Sequence, residues 1–294
     1  MNFDKLIINA ALTGIVPTKE QNPYVPINPK EIADDAIKVY NLGASIVHIH
    51  ARDEYGLPSH RKEIFKEIID RIRQKSSDLI ITVSLSGRRV KELSQRMEVL
   101  ELDGDLKPDL ASLTLGSMNF INESSINLPE VILTLLNAMQ LAGIKPELEI
   151  FDTGMANYAK YLFKKGFTVG NHYANLILGS LGTMAAEPKN LIHLLGELPE
   201  KIIWAATGVG QFAFDMQALS IAIGGHVRVG LEDSLYMDKA KHELATNEKL
   251  VLRVRRVSES VGRDIAFPKE VRRILNLDDN LHEAQLSDIK SYPL

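Results

Sequence analysis

Eight short apolar runs, each separated from the next by a longer amphipathic stretch, restrict the folds open to this chain more than any other feature. The runs are 6–12, 45–50, 79–85, 110–115, 147–151, 172–178, 201–206 and 226–231. The stretches between and after them are 29–42, 61–75, 90–100, 129–142, 157–165, 187–195, 211–223 and 239–261. Runs of that length read as strands and the stretches as helices, and their alternation gives a parallel sheet with helical crossovers. In the first helix Ile32, Ala36, Val39 and Tyr40 share one apolar face. Asn28 before Pro29 marks its start, and Gly43, Gly143 and Gly166 each stand where a left-handed residue ends a helix. Eight such units in 294 residues predict one domain, 1–294, built as a closed (β/α)8 TIM barrel, a fold that takes about 250 residues. An open doubly wound sheet is the alternative, but no G-x-G-x-x-G follows the first strand. The polar tail from Phe267 holds a short helical piece at 269–275, expected to pack outside the barrel as a C-terminal helical extension.

Composition narrows the function. The chain is 45% hydrophobic and 24% charged, as in globular proteins, and no run nears the roughly 20 apolar residues of a membrane span. The segment MNFDKLIINAALTG lacks the basic region and clean apolar core of a signal peptide, so cytoplasmic residence is expected. Its 34 basic and 38 acidic residues are spread along the chain, which points to neither nucleic acid nor a membrane as partner. There is no cysteine, so disulfides, thiolate nucleophiles and cysteine zinc sites are excluded. Any metal must rest on His, Asp or Glu.

Barrel enzymes work at the C-terminal ends of their strands, so polar groups at those ends are the candidates. His48 and His50 of VHIHAR are two apart and share one face of the second strand, while Val47 and Ile49 face the helices. Paired imidazoles are poor core material and good metal ligands. The last strand, HVRVGLEDS, runs from Arg228 into Glu232 and Asp233. Glu232 could complete a two-histidine, one-carboxylate site with an open position, beside Arg228 and an ionised Asp233. A plain ion pair capping the barrel end is the alternative for Arg228. Ser84 and Ser86 share a face before Gly87, whose turn offers backbone N–H groups to a carboxylate. Ser112 or Thr114 offers an inward hydroxyl on the fourth strand, and Glu147 and Glu149 lie on one face of the fifth. A buried acid there needs a partner or a metal. His60, His193, His242 and His282 read as surface residues, and His172 lies at the strand-start face. The turn Gly208–Val209–Gly210 resembles a phosphate loop only weakly.

The segments TGIVPTKEQNP, SIVHIHARDEYGLPS, TVSLSGR, SLTLGSMNF, PELEIFDTGM and GGHVRVGLED, in this order, resemble the β-keto acid cleavage enzyme family over residues 6–275. The H-x-H-x-R-D and G-G-H-V-R-V-G-x-E-D segments are the specific ones. The resemblance implies a zinc-dependent, homotetrameric acyltransferase. Its reaction of a β-keto acid with acetyl-CoA would give acetoacetate and a new acyl-CoA. It places the zinc ligands on His48, His50 and Glu232, and the dyad that removes the C2 proton on Arg228 and Asp233. The hydroxyl for the substrate carboxylate falls on Ser84, a second on Ser112 or Thr114, and the inward glutamate on Glu149 or else Glu147. Members that take an amino-substituted keto acid carry a glutamate in the loop after the first strand, where this chain has Val16. The amino-substituted substrate is therefore not expected, although Glu20 in the same loop is an acid that could reach in. A metal-dependent aldolase or hydrolase working without CoA is the competing reading.

Overall fold

In the computed structural model, which describes residues 4–168 and 170–277, the eight apolar runs form one closed parallel barrel. Its strands are β1 (Ile8–Ala11), β2 (Ile46–Ile49), β3 (Ile80–Val83), β4 (Leu110–Thr114), β5 (Lys145–Ile150), β6 (His172–Leu178), β7 (Ile202–Gly208) and β8 (His226–Val229). Neighbours follow chain order, and β8 closes against β1 with Asn9 opposite Arg228. The helices are α1 (Pro29–Asn41), α2 (Lys62–Arg73), α3 (Leu93–Met97), α4 (Pro129–Ala142), α5 (Thr153–Lys164), α6 (Pro188–Gly196), α7 (Ala213–Ala222), α8 (Asn247–Ser260) and α9 (Pro268–Ile274).

Local chemistry sets the helix starts. The Asn28 side chain accepts the Glu31 N–H at 2.9 Å while Glu31 reaches back to the Asn28 backbone, a capping box that fixes α1. Asp152 caps the Met155 N–H, so α5 begins at Thr153, earlier than the sequence pattern predicts. The Thr246 hydroxyl accepts the Lys249 N–H at 3.1 Å and delays α8 to Asn247. Residues 239–246, expected as helix, are instead a loop at the barrel mouth, with Lys241 in the left-handed region at φ 61°. The stretch 90–100 is also less helical than expected, since α3 gives way to a 3-10 turn at Glu98–Glu101. Two small hairpins add to the expected elements, Ala51–Arg52 with Pro58–Ser59 and Met118–Asn119 with Ser124–Ser125. Two-residue strands leave no periodic signal in a sequence.

Register sorts the barrel interior into levels. Ile46 stands opposite Ile80, and one step of two residues higher His48 stands opposite Thr82. Ile7, Ile46, Ile80, Leu110, Tyr173 and Ala205 make an apolar floor. The α9 segment lies outside the strands, as the sequence pattern predicts, and closes that floor, with Ala266, Val271 and Leu275 packed against it. The reason is the apolar spacing of Val271 and Leu275, which puts both on one helix face. Outward residues such as Val47, Ile49, Ile81, Val83, Leu113 and Leu148 pack against the helices.

Candidate active site

Above the floor the inward residues turn polar. His48 is fully buried, and its Nδ1 lies 2.6 Å from Glu147 Oε2. Glu147 also accepts hydrogen bonds from Asn9 at 2.5 Å and Asn175 at 2.8 Å. With Nδ1 engaged by the carboxylate, the neutral form of His48 presents its Nε2 lone pair toward His50 Nε2, 3.3 Å away. His50 Nε2 lies 3.2 Å from Glu232 Oε1, and His48 Nε2 lies 3.9 Å from Glu232 Oε2. Two imidazole nitrogens and one carboxylate oxygen thus lie within 4.8 Å of one another. Glu232 Oε2 is buried and has no hydrogen-bond partner among the described residues. An orphaned carboxylate oxygen beside two such nitrogens fits a small divalent cation.

Arg228 stands beside this cluster, 2% exposed, among three carboxylates. Its Nε lies 3.0 Å from Asp233 Oδ2, its Nη2 2.7 Å from Glu232 Oε1, and its Nη1 3.7 Å from Glu149 Oε1. Burial and Arg228 oppose charge on His48, but Glu147 and Glu232 together outweigh them and hold the ring's pKa above its ordinary value. Burial pulls His50 the other way, and Glu232 only partly answers it. Burial would raise the pKa of Glu232, yet Arg228 and both imidazoles hold it well below the carboxylate range. Asp233 is raised by burial, drawn back by Arg228, and left above its ordinary value by the adjacent Glu232. The site therefore holds one firmly ionised acid and one more basic acid side by side.

The backbone shapes this arrangement. Gly14, at φ 63°, carries the loop after β1 against Glu232; a Cβ there would lie 2.6 Å from Glu232 Cγ. Arg52 ties the same loop down through Gly14 O and Pro17 O, both at 2.8 Å. Gly210 N–H donates to Asp233 O at 2.7 Å and Val209 N–H to Leu178 O at 2.9 Å. These two amides serve the fold, so the suggested phosphate loop does not offer them to a ligand.

A cavity of about 730 Å³ opens above the cluster. His50, Ser84, Glu149, Arg228, Glu232, Asp233 and Val16 line it. Ser112 and Thr114 do not: Ser112 Oγ accepts the Leu85 N–H at 3.0 Å and the Thr114 hydroxyl donates to Glu149 at 2.6 Å. Glu149 reaches the cavity, while Glu147 lies fully buried against His48. His60, read from the sequence as a surface residue, is 8% exposed and bonds Ser86 O at 2.9 Å. Its place just ahead of a helix conceals that burial. His193 and His242 are exposed, and His282 lies outside the described residues. Arg52, Asn9 and Asn175 also serve the site, and sequence reasoning does not single them out. The two asparagines are visible only as polar residues at inward positions of apolar strands.

Fold and site define a (β/α)8 enzyme with a nitrogen–nitrogen–oxygen cation seat beside an Arg–Asp pair. The chain belongs to the β-keto acid cleavage enzyme family, which it matches over residues 5–277. The 3-keto-5-aminohexanoate cleavage enzyme of Fusobacterium nucleatum subsp. nucleatum is 40% identical over 279 residues, 94% of this chain and 99% of that protein. The 3-oxoadipate:acetyl-CoA acetyltransferase of Cupriavidus necator is 33% identical over 275 residues, 92% of this chain and 94% of that protein. Among solved structures, apo ObcA has a TM-score of 0.74 at 19% identity, covering 86% of this chain and 66% of that one, a likeness of fold.

Proposed function

We propose that this enzyme exchanges acyl groups between a β-keto acid and acetyl-CoA, releasing acetoacetate and a new acyl-CoA, with zinc held by His48, His50 and Glu232. The observation that carries the reading is one cavity onto which His50 and Glu232 of the donor cluster and the Arg228–Asp233 pair all open, with His48 buried directly behind them. Two imidazoles and a carboxylate suit zinc better than calcium or magnesium, which favour oxygen ligands. When bound, such a cation supplies Lewis acidity toward the 3-keto oxygen.

The chain's own residues do the rest. Ser84 Oγ already accepts the Ser86 N–H at 3.2 Å, which leaves its hydrogen for the substrate carboxylate. Asp233, made more basic by burial, removes the C2 proton, and Arg228 fixes its orientation through contacts of 3.0 and 3.4 Å. Glu149 braces Arg228 from the other side and occupies the Thr114 hydroxyl. The C2 carbanion bonds to the acetyl carbon, and CoA thiolate leaves. That thiolate then attacks the original keto carbonyl, the C2–C3 bond breaks, and Asp233 returns the proton to C2 of acetoacetate.

The outer cavity sets specificity. Val16, 44% exposed, lines it together with Arg88, Lys239, Lys241 and Arg253. Glu20 does not line it, and the Asp238 carboxylate is occupied by the His242 and Glu243 N–H groups. An ammonium beside Val16 would lose hydration with no carboxylate at that position, so the distal end of the keto acid is neutral or anionic. No helix among the described residues is long and apolar enough to cross a membrane. The working form is a cytoplasmic homotetramer, an assembly that sedimentation tests. The deciding assay offers 3-keto-5-aminohexanoate and 3-ketohexanoate with acetyl-CoA and follows acetoacetate and the new CoA ester. Preference for the plain compound, shifted toward the amino compound by Val16→Glu, is expected. Turnover without acetyl-CoA would sink the exchange, and preference for the amino compound would sink the role of Val16.

A further inference from the structure

The turn after β3 is clamped from behind. Arg96 of α3, 3% exposed, donates from Nε to Leu85 O at 2.8 Å and from Nη2 to Asn127 Oδ1 at 2.9 Å. Both acceptors are neutral, and Arg96 forms no ion pair among the described residues. Burial lowers its pKa to about 10, with Glu149 answering only in part, which leaves it charged at neutral pH. A buried cation without a counter-ion is costly unless the site receives an anion.

The turn itself has one free backbone N–H. Ser112 Oγ takes the Leu85 N–H, Ser84 Oγ the Ser86 N–H, and Ser86 Oγ the Arg88 N–H. Gly87 N–H has no partner among the described residues. A Cβ on Gly87 would lie 2.7 Å from Arg96 Nη1, so any larger residue there would push the guanidinium away from the turn. Ser84, Ser86 and Arg88, around this glycine, line the cavity.

We infer that Arg96 is a positioning residue for the keto acid's carboxylate, holding the Ser84–Gly87 turn and supplying the positive charge behind it. The inference rests on the β-keto acid reading above. Its test is the affinity of the purified protein for acetoacetate against methyl acetoacetate, by titration calorimetry. The wild type should favour the acid by about ten- to a hundred-fold, the worth of a charge-assisted hydrogen bond. Arg96→Met should bring that ratio near one and leave the ester's affinity unchanged, whereas Arg96→Lys should restore most of it. Gly87→Ala, which crowds the guanidinium, should lower the ratio too and serves if Arg96→Met does not fold. Equal weakening of acid and ester, or an unchanged ratio, overturns the inference. Wild-type turnover of β-keto acids with acetyl-CoA is read in the same preparation; its absence overturns the functional reading instead.

Discussion

The floor and the mouth of the barrel use the same strands to opposite ends. At the floor Ile7, Ile46, Ile80 and Leu110 meet Val271 and Leu275 of the closing segment, and the gain is apolar burial. One level higher, the same strands carry Asn9, His48, Thr82 and Ser112, all buried. Charges at that depth persist because they answer one another: Glu147 with His48, and Arg228 with Glu149, Glu232 and Asp233. Stability and chemistry are thus separated along the barrel axis, and substitutions should separate them as well.

The largest expected effect is at the mouth. Asp233→Asn keeps the shape of the side chain and removes the proposed base, so turnover should fall about 10²–10⁴-fold with metal content unchanged. Rates of acetoacetate formation together with metal analysis measure both, and wild-type turnover would require another base. Next comes the floor, with Leu275→Ala, at a residue 1% exposed. A loss of about 2–5 kcal/mol in unfolding free energy, with kcat unaltered, is expected. If kcat fell with stability, floor and mouth would be coupled, contrary to the separation argued here.

Most of this division is legible in the sequence, because period-two alternation places residues on a face wherever strands are long enough to show it. His48, His50, Glu147 and Glu149 fall inward on that ground, and Arg228 with them. What alternation cannot give is which inward residue meets which across the barrel. Hence only the structure pairs Glu147, not Glu149, with His48, and Thr114 with Glu149. Single charged residues in amphipathic stretches are also illegible, since Arg96 in 90–100 looks like part of a solvated face. The loop 239–246 reads as helix because its cap, Thr246, stands inside an otherwise helical composition.

A smaller effect is expected just below the mouth. Glu147→Gln leaves a partner for Asn9 and Asn175 but removes the carboxylate that orients and polarises His48. Metal affinity should fall about 10–100-fold, as for other ligand-orienting acids, measured by competition with a chelator. Unchanged affinity would make Glu147 a structural residue only.

The smallest effect compares two buried histidines, one at each end. His226, at the floor end of β8, is 6% exposed and its Nδ1 accepts the Ile7 N–H at 3.1 Å. Burial, and then the charge of Arg263, pushes its pKa down to about 3 from 6.5. Between those values the unfolded chain binds a proton that the folded chain refuses. The stability it contributes is therefore whole above pH 6.5 and is lost as pH falls toward 3. From about pH 7.5 to 5.5 the loss from one such ring is about 1 kcal/mol. His60, beneath the Ser84–Gly87 turn, is pushed by burial to about 4 and acts with the same sign. His226→Gln should flatten the stability profile and leave KM alone. His60→Leu should flatten it as much and raise KM for the keto acid, because it releases Ser86 O. Urea unfolding at the two pH values, with KM at the higher one, reads both outcomes. A wild-type profile as flat as the variants' would show that neither ring is held neutral by the fold.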